Sequence, residues 1–234
     1  MIAIIGLPFY ATAADGTGRA GGLAVDVALA ARRRGAGVEL LGKVGDDGAG
    51  DEVVLALGSA GIGHAAMLRD PAHPTPVLAA AVGDEAASPE PTGPDEAAGL
   101  LGEARTVDEP PAARLLPEDP GARPSLDEGD VDLALRYLPG ARVIVACDLL
   151  PGPAVDVVVR DASYSGAALV LLVRPGAEVP PSAGEAIVLE LPDRDDGSFA
   201  NLVGFLAAAL EAGGEPSAAF AEAVESSGWE RVGG

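Results

Sequence analysis

Three continuous apolar runs in the second half of the chain constrain its fold most strongly. They are RVIVAC (residues 142–147), AALVLLV (167–173) and AIVLEL (186–191). Short runs without polar alternation are typical of strands that are buried on both faces of a parallel sheet. A briefer run of the same kind, residues 2–5, ends at Gly6. The pattern therefore predicts a central, mostly parallel sheet covered by helices on both sides.

Helical patterns alternate with these runs. Residues 23–34 repeat apolar side chains on successive helical turns, and Gly35 ends the pattern. A short strand at residues 38–41 and a helix at residues 50–59 follow. A helix capped by Asp127 precedes the first of the three long apolar runs. Further helices are expected at residues 153–165, 199–211 and 216–225. This alternation predicts a layered α/β fold.

Two stretches lack such patterns. The glycine-rich residues between the first strand and the first helix are expected to form a loop. Residues 84–125 consist largely of Pro, Glu, Asp, Ala and Gly and can bury little apolar surface. We expect them to be loop-rich and partly disordered, within a single domain of residues 1–234.

Charge and residue counts exclude several function classes. The formal net charge of −21 repels nucleic-acid phosphates and anionic membranes, so neither is an expected partner. No apolar run reaches the roughly 20 residues that span a bilayer, and the first residues resemble a buried strand, not a signal peptide. The single cysteine, Cys147, fits a reducing cytoplasm, and two histidines leave no zinc-type cluster. A metal site is not expected.

Two motifs carry the functional interpretation. The first lies in residues 21–62, where two glycines and a run of small residues precede a G-x-V-G-D-D-x-x-G-D pattern. That pattern is formed by Gly42, Lys43, Val44, Gly45, Asp46, Asp47, Gly50 and Asp51. The second is PDRDDGSFANLVGFLAAAL, residues 192–210, in which an acidic turn leads into a helix containing Gly204 and Phe205.

Together these stretches resemble the ribokinase (PfkB-type) carbohydrate-kinase family. The resemblance is strongest in residues 21–62 and 193–225, and it implies a three-layer sandwich around a mostly parallel sheet. It also implies a sugar or nucleoside substrate, with ATP and Mg²⁺ as cofactors of an active member. In the family, glycine amides at a helix N-terminus form an anion hole beside a catalytic Asp. Gly197 and Ser198 correspond to a remnant of that anion hole.

The substrate side of the resemblance is incomplete. Tyr10 and Ala11 occupy the region where the family places a hydroxyl-binding carboxylate. Gly21 and Gly22 keep the paired glycines of the family, but Leu23 replaces its basic residue. Asp26 stands where the family has Asn and can accept a hydrogen bond from a hydroxyl. Gly21, Gly22 and Asp26 are therefore the candidate substrate-binding residues.

The catalytic side departs further. Alignment on Gly204 without gaps places Phe199 at the position of the general base, and a benzyl side chain accepts no proton. Asp196, three residues earlier, is the weaker alternative base. Residues 174–185 are too few for the family's further strands and contain no N-x-x-E magnesium motif. We therefore expect the nucleotide-binding part and the lid to be reduced.

Three functions remain open from the sequence. The favoured one is a pseudokinase that binds or regulates, as a homodimer, with a small-molecule ligand and no cofactor. The second is an active ATP-dependent sugar or nucleoside kinase in which Asp196 acts as a relocated base. The third is a structural subunit that pairs with a true kinase.

Overall fold

The computed structural model describes residues 1–12, 17–79, 122–147, 150–192 and 197–229. Their central sheet contains six parallel strands in the order β5-β4-β1-β7-β8-β9. The strands are β1 (Ile2–Ile5), β4 (Val38–Gly45), β5 (Met67–Asp70), β7 (Val143–Ala146), β8 (Ala168–Val173) and β9 (Ile187–Glu190). The predicted parallel sheet is thus confirmed.

Helices cover both faces of this sheet. They are α1 (Leu23–Arg33), α2 (Gly48–Ser59), α3 (Glu128–Leu135), α4 (Gly152–Ser165), α5 (Ser198–Glu211) and α6 (Pro216–Ser227). Alternate residues of each strand point to opposite faces. Ile2 and Ile4 of β1 therefore join the core formed by α1, α2, α5 and α6. Ala3 and Ile5 join the second core, which α3 and α4 cover. The result is the expected three-layer sandwich.

The prediction of a loop between the first strand and the first helix was wrong. This segment contains β2 (Phe9–Thr12) and β3 (Gly18–Gly21), which pair antiparallel, and β2 also pairs in parallel with β6 (Val77–Ala79). The three strands form a separate small sheet in the order β3-β2-β6. Each is only three or four residues long, so no periodic apolar pattern reveals it.

The central strand β4 is longer than predicted. It was expected to end at residue 41 and extends to Gly45, so the first four residues of the G-x-V-G-D-D pattern, Gly42 to Gly45, lie in the strand. A Cβ atom on Gly42 would lie 2.5 Å from the carbonyl oxygen of Gly6. The absence of a side chain at Gly42 thus lets β4 pass close to the segment that follows β1.

The predicted loop-rich segment falls mostly outside the described residues. Residues 84–121 lie outside the described ranges. Residues 123–125 lie within them and form neither helix nor strand. Between β8 and β9 the described chain has only a short 3-10 helix, Pro181–Ala183, where the sequence predicted few residues and no further strand. Within the described ranges, no helix is both long and apolar enough to cross a bilayer.

Candidate functional site

The carboxyl ends of the central strands define the place where a ligand is expected. From β1 the chain continues to β4 on one side, while β7 lies on the other side of β1. In open α/β sheets, ligands bind outside the carboxyl ends of the strands where the order of connection reverses. A ligand is therefore expected near the segment after β1, the start of α1 and the start of α5.

The paired glycines place the start of α1 against the segment that follows β1. A Cβ atom on Gly21 would lie 2.5 Å from the Phe9 ring. Gly22 has φ 119°, which favours glycine, and its Cβ atom would lie 3.2 Å from the Leu7 carbonyl oxygen. Asp26, one turn into α1, is half-buried and donates its backbone amide to the Gly22 carbonyl at 3.0 Å. Gly21, Gly22 and Asp26 are thus brought together.

Asp47 of the G-x-V-G-D-D pattern has a structural role. Asp47 is the N-cap of α2, and its Oδ1 accepts a hydrogen bond from the Gly50 amide at 2.8 Å. Its Oδ2 accepts from the amide of Thr75, also at 2.8 Å. Burial raises the pKa of Asp47, but these bonds to the charged form outweigh burial and hold the pKa below its ordinary value. The carboxylate of Asp47 therefore has structural partners.

A second carboxylate orders the loop that contains Thr75. Asp70, at the end of β5, accepts hydrogen bonds from the amides of Ala72 and His73, and its other oxygen lies 3.0 Å from His73 Nδ1. The Ala72 amide and the His73 ring lower the pKa of Asp70. The same loop presents the hydroxyl of Thr75, which accepts from the buried Gly45 amide at 2.8 Å. This network fixes the junction between β4, α2 and β6.

The start of α5 carries the candidate anion-hole remnant and the position of the lost base. Gly197 is the N-cap with φ 95°, and Ser198 begins the helix. Phe199 is only 2% exposed, and its ring centroid lies 5.3 Å from that of Trp229 at an interplanar angle of 55°. Phe199 is therefore a core residue. Asp196, the alternative base, lies outside the described residues, as do Asp193, Arg194 and Asp195.

A small pocket lies near the carboxyl ends of β1 and β4, on the side of the sheet that α3 covers. Its walls are formed by Leu7, Pro8, Lys43, Pro76, Arg123 and Pro124. The sequence placed Lys43 in the G-x-V-G-D-D pattern and gave no role to Arg123. No periodic pattern predicts where the loop that contains Arg123 folds. Lys43 Nζ forms an ion pair with Asp130 Oδ2, in which both side chains are less than one-fifth exposed.

The described residues include no group of three or more His, Cys, Asp and Glu side chains that could hold a metal ion. The ligands that an active kinase would offer to Mg²⁺ are therefore not assigned to particular residues of this chain.

Known structures identify the fold. No protein-family model and no curated protein sequence matches the chain. A PfkB protein from Polaromonas sp. JS666 aligns with a TM-score of 0.63 and 15% identity over 97% of this chain and 93% of its own. Arabidopsis thaliana ribokinase, solved with ribose and ATP, gives 0.61 and 13% over 97% and 90%.

A third match covers a smaller share of the matched protein. A fructokinase from Xylella fastidiosa, solved with bound ATP, gives a TM-score of 0.51 and 14% identity over 96% of this chain but 65% of its own. At these identities the likeness establishes the fold alone. The chain has a ribokinase-like fold, as its motifs predicted.

Proposed function

We propose that this chain is a ribokinase-like pseudokinase, a module that binds a small molecule without phosphorylating it. The observation that carries this proposal is the burial of Phe199. Its position corresponds to the family's general base, yet its ring is 2% exposed and packs against Trp229. The side chain neither accepts a proton nor faces solvent, so it leaves no base at this position.

The chemistry explains why this loss matters. Phosphoryl transfer depends on positioning the acceptor hydroxyl and on neutralising the charge that develops on the phosphoryl oxygens. Removing a positioned base typically lowers the rate about 10²–10⁴-fold. Further parts are reduced as well. Tyr10 and Ala11 replace a substrate carboxylate, and residues 174–185 contribute only a short 3-10 helix between β8 and β9.

The binding half of the proposal rests on the residues that remain. Gly21, Gly22 and Asp26 lie together at the start of α1, next to the segment that follows β1. The ligand class we propose is a sugar or nucleoside, with no cofactor and no phosphoryl transfer. We also propose that the chain is a homodimer and that it is cytoplasmic; the single cysteine is in keeping with a reducing compartment.

A turnover assay tests the loss of catalysis. The full chain is incubated with magnesium-ATP and a panel of sugars and nucleosides, and ADP release is followed by a coupled reaction. We expect no release above that of a blank without acceptor. Titration calorimetry with the same panel, in the absence of ATP, measures ligand binding separately.

The rival kinase makes an opposite prediction. If Asp196 serves as a relocated base, ADP release is substantial and falls at least a hundredfold in Asp196→Asn. Asp193→Asn removes the same charge from the same segment and serves as the matched control. Turnover that depends on Asp196 and not on Asp193 overturns the pseudokinase proposal. Co-purification with an active kinase and no ligand binding supports the structural-subunit reading instead.

A further inference from the structure

The pocket at the carboxyl edge contains two unusual cations. Among the described lysine and arginine side chains, all are exposed except Lys43 and Arg123. Both line the same pocket, together with Leu7, Pro8, Pro76 and Pro124. In a chain with 36 acidic and 15 basic residues, the two half-buried cations thus lie at one site.

The two cations differ in their partners. Lys43 pairs with Asp130, which also belongs to the capping box of α3. Arg123 forms no ion pair or hydrogen bond that involves the described residues. A half-buried guanidinium without a partner is unfavourable. Because Asp130 pairs with Lys43, Arg123 is the cation of the pocket that has no ion-pair partner among the described residues.

The remaining walls favour an acceptor-rich ligand group. Three of the six lining residues are prolines, which have no backbone N–H to donate. Lys43 and Arg123 are therefore the lining residues whose side chains carry charged donors. The cavity volume is about 10 Å³, roughly the room of one water molecule, so one oxygen atom of a ligand group enters it and the rest of the ligand stays outside. Arginine binds carboxylate and phosphate oxygens in paired hydrogen bonds.

We infer that this pocket binds the anionic oxygen group, carboxylate or phosphate, of a small-molecule ligand. The inference rests on the proposed function, since it names the chemical class that the binding module takes. Arg123 supplies the charge and the paired donors, and Lys43, held by Asp130, supplies a third donor. A neutral sugar lacks the group that this pocket recognises.

Three probes with the same number of carbon atoms test the inference. Glucose, gluconate and glucose 6-phosphate are titrated into the full chain by calorimetry, without ATP. We expect gluconate or glucose 6-phosphate to bind at least tenfold more tightly than glucose. The comparison of gluconate with glucose 6-phosphate decides between a carboxylate and a phosphate. Equal affinity for all three probes, or binding by none of them, overturns the inference.

Variants connect binding to the pocket. Arg123→Gln is expected to weaken binding of the preferred anion by about ten- to a hundredfold. Arg142→Gln makes the same charge change at an exposed residue next to the amino end of β7, and it should leave the affinity within twofold. Lys43→Gln leaves Asp130 uncompensated beside the pocket and should also weaken binding. Equal effects of Arg123→Gln and Arg142→Gln contradict a specific site.

The outcome is separable from that of the turnover assay. ADP release with gluconate or glucose 6-phosphate overturns the pseudokinase proposal and leaves the anion pocket intact. Binding without any dependence on Arg123 overturns the pocket and leaves the absence of turnover intact. Circular dichroism of Arg123→Gln confirms that a change in affinity does not come from unfolding.

Discussion

Asp47 and Thr75 are 28 residues apart, and the Asp47 carboxylate accepts the Thr75 backbone amide at 2.8 Å. The other carboxylate oxygen caps α2 through the Gly50 amide. One side chain therefore ties the start of a helix to the loop that precedes β6. Since Thr75 is 3% exposed, water does not readily replace this bond.

Replacing Asp47 with Asn should destabilise the chain by about 1–3 kcal/mol. The amide of Asn keeps one acceptor oxygen, but its NH₂ group faces a backbone N–H where the second oxygen was. Urea unfolding at pH 7 measures the change in free energy. Asp46→Asn is the matched control, because Asp46 is adjacent and exposed and should change stability by less than about 0.5 kcal/mol. Equal effects of the two substitutions contradict the capping role.

The same pair predicts a dependence on pH. Hydrogen bonds to the charged form hold the folded pKa of Asp47 below its ordinary value of 3.8. A lowered pKa contributes stability that is complete above the unfolded pKa and is lost as pH falls through the folded pKa. The stability gap between the native chain and Asp47→Asn should therefore be constant from pH 7 to about pH 5. It should shrink below pH 3.8, and unfolding curves at pH 7, 5 and 3 measure it. A gap that stays constant to pH 3 argues against the lowered pKa.

Five of the six central strands were predictable because their information is local, whereas β5 (Met67–Asp70) was not predicted. Continuous apolar runs at β1, β7, β8 and β9 indicate buried strands from their own residues. The small sheet was not predictable, since Tyr10 of β2 pairs with Val77 of β6 across 67 positions. Strands as short as β6 are stabilised by such pairing and carry too few residues for a periodic signal.

The contacts of the candidate site were less predictable than the strands. The N-cap role was not assigned to Asp47, because the helix was expected to begin at residue 50 and begins at Gly48. The contact between Phe199 and Trp229 joins α5 to the second residue after α6, and only the packing of those helices creates it. Arg123 lies in a stretch without periodicity, and the other residues of its pocket come from the segment after β1, from β4, from the loop before β6 and from Pro124 beside it. Its role therefore required the structure.

Phe199 should contribute strongly to stability. Phe199→Ala removes a fully buried ring, and the lost burial and the cavity together should cost about 3–5 kcal/mol. Phe220→Ala is the matched control, since Phe220 is 38% exposed on α6 and should cost much less. Thermal unfolding compares the two variants.

Restoring a carboxylate at residue 199 gives a further test. Phe199→Asp places an ionisable group in an apolar core, so it should unfold at lower temperature and release no ADP with magnesium-ATP and sugars. Kinase activity in Phe199→Asp would contradict the burial of this position away from a reacting substrate.

The contact between α1 and α5 depends on Gly204. A Cβ atom on Gly204 would lie 2.5 Å from Ala30 Cβ and 2.6 Å from the Val27 carbonyl oxygen, so one of the two helices must shift. Gly204→Ala should therefore destabilise by about 1–3 kcal/mol, despite the higher helix propensity of alanine. Gly48→Ala in α2 is the matched control, since a Cβ atom there would meet nothing within 4 Å. That variant should be neutral or more stable by up to about 1 kcal/mol. Urea unfolding of both variants measures the difference, and equal stability of the two contradicts a close approach of α1 and α5 at Gly204.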